Sequence, residues 1–90
     1  VAVGRALSRL GAGHQVLVVT HLAQVAAYAD AQVRVAKHAD DAATVSHVEV
    51  LGDGERVIEL SRMLSGQPQS VAARVHATEL LATAAGERGR

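Results

Sequence analysis

The sequence lacks cysteine, phenylalanine and tryptophan, and it contains one proline and one tyrosine in 90 residues. Without cysteine, the chain can form no disulfide framework, thiolate nucleophile or cysteine-bearing zinc site. No apolar run approaches the ~18 residues needed to span a membrane, and no basic-then-apolar segment typical of a signal peptide opens the chain. Nine basic residues balance nine acidic ones, which argues against an electrostatic nucleic-acid surface on this segment.

Small apolar residues dominate what is present. Hydrophobic residues make up 49% of the chain, and most of them are alanine or valine. A chain this short forms at most one domain and buries only roughly 60–65% of its unfolded surface. Alanine and valine also remove less apolar area from water than leucine or phenylalanine. Because the first residue is Val1 rather than methionine, we expect a processed chain or a part of a larger protein that completes the core.

The first third of the chain predicts a helix, a strand and a short helix. Apolar residues at i, i+3, i+4 and i+7 form one face of the first helix: Val3, Ala6, Leu7 and Leu10. The run Gln15–Thr20 contains four consecutive apolar and mostly β-branched residues, which is typical of a strand buried on both faces of a parallel sheet. We expect the first helix and the helix after Pro68 to cover part of this strand. Helical spacing returns over Leu22–Ala29.

The remainder predicts a hairpin followed by two helices. Residues 31–38 and 44–51 are β-rich and are separated by a short loop, so they are expected to pair antiparallel. Asp53 is the predicted N-cap of the next helix, and Gly66 follows its end. Pro68 fits the first turn of the last helix. The predicted order is helix, strand, short helix, strand, strand, helix, helix.

Thr20 and His21 stand where the predicted strand ends and the short helix begins. In open α/β sheets, ligands bind outside the carboxyl ends of strands, so a histidine here lies at the usual ligand site. A single histidine at a strand end can also serve only to hydrogen-bond the backbone. The spacing alone leaves both roles open.

The other reactive side chains form no recognisable site. The remaining histidines show no helical zinc spacing and no HExxH motif: His14, His38, His47 and His76. The adjacent Asp40 and Asp41 fit a solvated turn. The chain has neither a GxxxxGK[ST] phosphate loop nor an apolar strand that ends in aspartate to hold Mg²⁺. It therefore cannot bind and hydrolyse a nucleoside triphosphate by that route unaided.

The stretch QVLVVTHLAQVAAYAD, residues 15–30, resembles the switch-histidine loop (H-loop) of ABC-type and SMC-type ATPases. In those proteins a strand ends in Thr-His or Ser-His, a short helix follows, and an Ala-Asp pair precedes the next strand. Here these features are Thr20-His21, residues 22–29 and Ala29-Asp30.

Within that superfamily, residues 1–85 are most similar to the C-terminal end of the RecN family of bacterial DNA repair proteins. The matching residues follow in the family's order: Val19-Thr20-His21-Leu22, Gln24-Val25-Ala26-Ala27, Lys37, Glu55-Arg56, Glu59-Leu60, Arg62, Leu64, Gly66 and Glu79-Leu80-Leu81. Ala23 and Ser65 stand where many members have proline and glycine. Neither departure removes a charged or catalytic group.

The resemblance implies that residues 1–86 are the C-terminal lobe of an ABC/SMC-type P-loop ATPase head, incomplete without upstream sequence, with residues 87–90 as a flexible tail. It implies ATP and Mg²⁺ as cofactors of the complete parent protein, with none bound by this chain alone and no metal ligand in it. His21 would contact the γ-phosphate and help orient the attacking water. Thr20 and Gln24 would be its neighbours in the nucleotide site.

The implied function is ATP-driven head engagement in DNA double-strand break repair and recombination, in a cytoplasmic, nucleoid-associated bacterial protein. The implied partners are the remainder of the head, a second head in an ATP-sandwiched dimer, and DNA through the parent protein rather than this segment, with no membrane. The chain alone lacks Walker A and Walker B and is expected to be inactive. The alternative is a free-standing α/β interaction module in which His21 is structural. A second alternative is the corresponding C-terminal part of a different SMC-like or ABC-type head. Such a part would share His21 but would lack the pattern over residues 55–66.

Overall fold

The computed structural model describes residues 2–39, 43–67 and 69–89. These ranges contain four helices and a two-stranded sheet. The elements are, in chain order, α1 (Ala2–Gly11), α2 (Ala23–Ala26), β1 (Val33–Ala39), β2 (Thr44–Val50), α3 (Asp53–Ser65) and α4 (Val71–Arg88). None of the described helices is both long and apolar enough to cross a membrane. The chain is a mixed α/β domain, as the sequence predicted.

The predicted strand over Gln15–Thr20 is wrong for this structure, because these residues form neither helix nor strand. The observed order is helix, short helix, strand, strand, helix, helix. Leu17 is 91% exposed and Val19 is 97% exposed. The physical reason is the lack of a neighbour, since a strand is held by hydrogen bonds to an adjacent strand. In the described part of the chain, β1 and β2 pair only with each other.

β1 and β2 form the predicted antiparallel hairpin. Their register runs one to one from Val33 opposite Val50 to Ala39 opposite Thr44. Successive side chains of a strand point to opposite faces, so one face carries four exposed valines: Val33, Val35, Val48 and Val50. Asp40 and Asp41, predicted as a solvated turn, lie outside the described residues.

α1 confirms the predicted helix, but its apolar stripe points away from the core. The buried residues of α1 are Gly4 and Ser8, whereas Val3 is 62% exposed and Leu10 is 52% exposed. A Cβ atom on Gly4 would lie 2.6 Å from Cδ2 of Tyr28, so glycine permits this close approach. The expectation that α1 covers a strand is wrong because the described residues contain no strand beside it.

The core lies where α2, α3 and α4 meet. Its buried residues are Ala23, Ala27, Tyr28, Leu60, Ala77 and Ala84. Four of these six residues are alanine, so little apolar area per residue is removed from water. The Cα radius of gyration is 14.1 Å, above the ~12 Å expected for a compact domain of this length. The structure is therefore open, with a small core.

The start of α3 differs from its prediction, whereas its end agrees. The N-cap is Gly52 rather than Asp53, because the Glu55 side chain reaches back to accept a hydrogen bond from the Gly52 N–H at 3.0 Å. The helix ends as predicted before Gly66, which has the left-handed φ of 74°.

α4 begins later and ends later than predicted. Ser70 is its N-cap, and the Ser70 hydroxyl accepts a hydrogen bond from the Ala73 N–H at 3.2 Å. Pro68, which was predicted for the first turn of this helix, lies outside the described residues. The helix continues through Glu87 and Arg88, two of the residues predicted as a flexible tail. The contacts of these two side chains explain why the helix extends so far.

Candidate functional site

The predicted site residues Thr20, His21 and Gln24 lie on one short segment that leads into α2. The Thr20 hydroxyl accepts a hydrogen bond from the Leu22 N–H at 3.0 Å, which closes a turn around His21. Leu22 is the N-cap of α2 and has extended backbone angles, with φ −101° and ψ 118°. Gln24 lies in the first turn of the helix. We call residues 20–30 the His21 segment.

The His21 side chain is exposed, whereas Thr20 and Gln24 are half-buried. Among the described residues, the imidazole has no hydrogen-bond partner. Each ring nitrogen of a histidine can donate or accept one hydrogen bond, depending on its protonation. His21 can therefore offer a hydrogen bond to a ligand that approaches this bend.

α2 is anchored by its buried face. Ala23 and Ala27 are almost completely buried, and the next residue, Tyr28, donates its hydroxyl hydrogen bond to the Glu87 carboxylate of α4. Arg5 of α1 donates to both oxygens of the same carboxylate, at 3.0 and 3.1 Å. The His21 segment is thus linked to the first and last helices of the chain.

The contacts of Glu87 set the protonation states of this cluster. Hydrogen bonds from Arg5 and then from Tyr28 lower the pKa of Glu87 below its ordinary value, because they stabilise the carboxylate. The bond to Glu87 raises the pKa of Tyr28, and burial adds to that shift. At neutral pH, Glu87 is therefore an anion and Tyr28 keeps its proton.

Two arginines bind the carbonyl groups at the C-terminal end of α2. Arg56 of α3 donates through Nη2 to the Ala26 oxygen at 3.3 Å and to the Ala29 oxygen at 3.1 Å. Arg88 of α4 donates through Nη1 to the Ala27 oxygen at 3.3 Å and to the Ala29 oxygen at 3.2 Å. The last carbonyls of a helix lack intrahelical partners, and cations favour this end of the helix dipole. We call Arg56 and Arg88 the arginine pair.

The arginine pair has further partners that hold it in place. Arg56 is buried, and its Nε donates to Oε1 of Gln32 at 3.3 Å. Nε of Arg88 lies 3.4 Å from Oδ1 of Asp30 in an ion pair. Burial lowers the pKa of Arg56, and the nearby charge of Arg88 lowers it further, although a guanidinium stays protonated in proteins. Both arginines are therefore cations at the end of the His21 segment.

Sequence reasoning assigned no role to the arginine pair. Arg56 entered only as part of the RecN-like pattern, and Arg88 fell in the predicted tail. A signal for Arg56 was present, because it precedes Leu60 by one helical turn and so shares the apolar face of α3. Nothing local to Arg88 indicated that it would reach α2.

A second group of charges lies away from the His21 segment, between the hairpin and α3. Arg34 of β1 pairs with Glu49 of β2 at 2.6 Å and lies 3.9 Å from the buried Glu59 of α3. Arg62 donates through Nε to both oxygens of Glu59, at 3.0 and 3.1 Å. Within the described ranges, no group of three or more metal-ligating side chains is close enough together to hold a metal ion.

The chain is similar over most of its length to proteins named DNA repair protein RecN. It is 57% identical to that of Streptomyces coelicolor over 88 residues, which are 98% of this chain and 15% of that protein. It is 55% identical to that of Deinococcus radiodurans over 82 residues, or 91% of this chain and 14% of that protein. It is 39% identical to that of Bacillus subtilis over 80 residues, or 89% of this chain and 14% of that protein. No protein-family model matches the chain. The chain spans 14–15% of the length of these curated relatives.

Proposed function

Because this chain matches a C-terminal segment of the RecN family of DNA repair proteins, we propose that it is the part of an SMC-like ATPase head that carries the switch histidine. The observation that carries this proposal is the identity of 39–57% along about nine-tenths of the chain. The function we assign to the parent protein is ATP-driven engagement of two heads during DNA double-strand break repair and recombination.

His21 is the residue that we assign to the nucleotide. Its imidazole is exposed at a bend whose backbone is fixed by the Thr20 hydroxyl, so an N–H of the ring can reach a phosphate oxygen or a water. Phosphoryl transfer depends mainly on positioning and on stabilising charge. A histidine that holds the attacking water beside the γ-phosphate would serve both needs.

The donor groups of the His21 segment suit a phosphate better than a metal ion. His21, Thr20 and Gln24 carry imidazole, hydroxyl and amide groups, which can donate hydrogen bonds to phosphate oxygens. Mg²⁺ prefers carboxylate oxygens and water, and none of these three residues is acidic. When bound, Mg²⁺ and ATP supply the charge neutralisation and the transferred phosphoryl group. We propose that the remainder of the head binds the metal and most of the triphosphate.

Exposed apolar surface supports the remainder of the head as a partner. Leu17 and Val19 are almost completely exposed, and six large apolar residues of α1 and of the hairpin are at least half exposed: Val3, Leu10, Val33, Val35, Val48 and Val50. Apolar surface of this extent marks a contact with another protein surface. We propose that the parent head covers it, that a second head closes over the nucleotide, and that DNA is bound elsewhere in the parent protein.

A segment exchange in living cells tests the proposal. In full-length Streptomyces coelicolor RecN, the matched residues are replaced by this chain, and the chimera is expressed in a strain that lacks RecN. We expect it to restore survival after double-strand breaks, whereas the same chimera with His21→Ala fails and the exposed-histidine control His76→Ala succeeds. A chimera that accumulates, binds ATP and yet restores nothing would contradict the proposal. Restoration by the 90-residue chain expressed alone would favour the free-standing module.

A further inference from the structure

We infer that Arg56 and Arg88 are positioning residues for His21, because they hold the far end of the segment that carries the imidazole. The inference rests on the proposed function of His21 and adds two residues that support this histidine. Neither arginine would contact the nucleotide. Each would act by keeping α2, and with it the bend at His21, in one place relative to α3 and α4.

α2 needs such an external support because it is too short to hold its own shape. The helix has four residues, and short helices are not stable without tertiary contacts. Two backbone hydrogen bonds are of the α-helical type: the Ala26 N–H donates to the Leu22 oxygen, and the Ala27 N–H donates to the Ala23 oxygen. The next two are of the tighter 3₁₀ type, from the Tyr28 N–H to the Val25 oxygen and from the Ala29 N–H to the Ala26 oxygen. The turn therefore ends in an irregular stretch.

The arginine pair replaces the usual glycine cap at this irregular end. The C-cap of α2 is Ala27 in a right-handed conformation, so no left-handed residue folds the chain back to satisfy the last carbonyls. The guanidinium groups satisfy the carbonyl oxygens of Ala27 and Ala29 instead. As a result, the end of α2 is fixed by two other helices in addition to its own backbone bonds.

The charge of this arrangement argues that it is more than a packing contact. Placing two cations at one carbonyl oxygen brings like charges together, and burying a guanidinium costs free energy unless its N–H groups are bonded. Apolar side chains of similar volume often stabilise a core at least as well as buried ionic groups. Guanidinium groups add directional hydrogen bonds, since their planar N–H donors fix the orientation of the carbonyl groups that they bind. A bend that carries a reactive imidazole requires such a fixed backbone orientation.

The test uses a full-length RecN protein that carries this segment and measures single-turnover ATP hydrolysis and ATP binding. We expect Arg56→Ala to slow hydrolysis by about 10- to 100-fold, since small misplacements of a reacting group cost this much. ATP affinity should stay within about 3-fold, because groups that act on the transition state contribute little to ground-state binding. Arg56→Lys, which keeps the charge but not the planar fork, should fall between the wild type and alanine. The matched control is Arg9→Ala, an exposed arginine of α1.

A double-mutant cycle separates positioning from a purely structural role. If the arginine pair acts through His21, Arg56→Ala should slow hydrolysis further by less than about 2-fold once His21 is alanine. An equal loss with and without His21 would overturn the inference. If His21→Ala itself leaves the rate unchanged, the proposed function fails. If His21→Ala slows hydrolysis and Arg56→Ala does not, only the positioning role fails.

A second readout does not depend on activity. The imidazole Hε1 resonance of His21, assigned by comparison with His21→Gln, should be a single sharp line in the wild-type 90-residue chain at a concentration where sedimentation shows a monomer. Arg56→Lys and Arg88→Lys should each broaden or split it, while the lines of His14 and His76 stay sharp. If Arg56→Ala does not fold, these two lysine variants carry the hydrolysis test as well. An unchanged His21 line in both lysine variants would count against positioning.

Discussion

Arg56 and Arg88 donate hydrogen bonds to the same atom, the carbonyl oxygen of Ala29, at distances of 3.1 and 3.2 Å. The two arginines come from different helices, α3 and the last turn of α4. Their shared acceptor is the point where both helices meet the His21 segment. The small alanine core is thereby supplemented by polar contacts that hold the end of the His21 segment against α3 and α4.

Replacing Gly4 with alanine should weaken the packing of α1. The new Cβ would lie 2.6 Å from Cδ2 of Tyr28 and 3.0 Å from the backbone oxygen of Gln24, so α1 must shift. We expect the free energy of unfolding, measured by urea titration, to fall by about 1–3 kcal/mol. The control is Gly54→Ala in α3, where nothing lies within 4 Å, and it should be neutral or stabilising by up to about 1 kcal/mol. Equal effects at the two positions would contradict the close approach of α1 and Tyr28.

Replacing Gly66 with alanine should destabilise the junction between α3 and α4. Gly66 has a φ of 74°, a conformation that costs an L-residue about 1–2 kcal/mol. Gly86→Ala lies within α4, with nothing within 4 Å of the new Cβ, and should instead stabilise the helix by about 0.5–1 kcal/mol. Melting temperatures of the two variants should therefore move in opposite directions. A rise for Gly66→Ala would show that the left-handed cap is absent in solution.

The Glu87 cluster should contribute stability that is lost in acid. The pKa of Glu87 is lowered in the folded chain, first by Arg5 and then by Tyr28. A carboxylate of this kind contributes its full stability above its unfolded pKa, and that contribution disappears as the pH falls through the folded pKa. The melting-temperature difference between the wild type and Glu87→Gln should therefore be largest near neutral pH and shrink below the ordinary value of 4.5.

The variant Arg5→Gln serves as the control for this pH dependence. It removes the donor that contributes most to the lowered pKa of Glu87, so the acid-dependent part of the difference should become smaller. A difference between the wild type and Glu87→Gln that stays constant from neutral to acid pH would mean that the cluster does not form.

The isolated chain should self-associate through its exposed apolar segment. Leu17 and Val19 are 91% and 97% exposed, so replacing both with lysine removes no internal contact. We expect the double variant to weaken self-association by about 10-fold or more in sedimentation equilibrium, the effect of one buried leucine, with an unchanged melting temperature. Ser46→Lys, an exposed change on β2, should leave association as it is. A double variant that melts much earlier would show that the segment packs inside the chain.

Elements whose partners lie nearby in the sequence could be predicted, and those whose partners are distant could not. β1 and β2 were predicted because each is the other's neighbour, with Val33 opposite Val50. The run Gln15–Thr20 has the composition of a buried strand, but the described residues offer it no adjacent strand. For α1, periodicity identified the apolar face correctly and could not indicate that Gly4 and Ser8 would face the core.

The same distinction applies to the site. Thr20 and Gln24 were predicted, from the resemblance, to be neighbours of His21 in a nucleotide site. The structure shows that the three residues lie on the segment that leads into α2. The contact between Arg88 and Ala29 joins residues 59 positions apart. It depends on how α4 packs, which no local pattern encodes. The role of His21 at a nucleotide remains a prediction.

The most direct measurement is single-turnover ATP hydrolysis, together with ATP affinity and thermal melting, in a full-length RecN protein that carries this segment. We predict that His21→Ala slows hydrolysis by about 10²-fold or more, the scale of a positioned proton-handling or orienting side chain, with ATP binding nearly intact. His21→Gln should fall between the wild type and alanine, and His76→Ala should match the wild type. A normal hydrolysis rate with a lowered melting temperature would mean that His21 is only a structural residue at a bend.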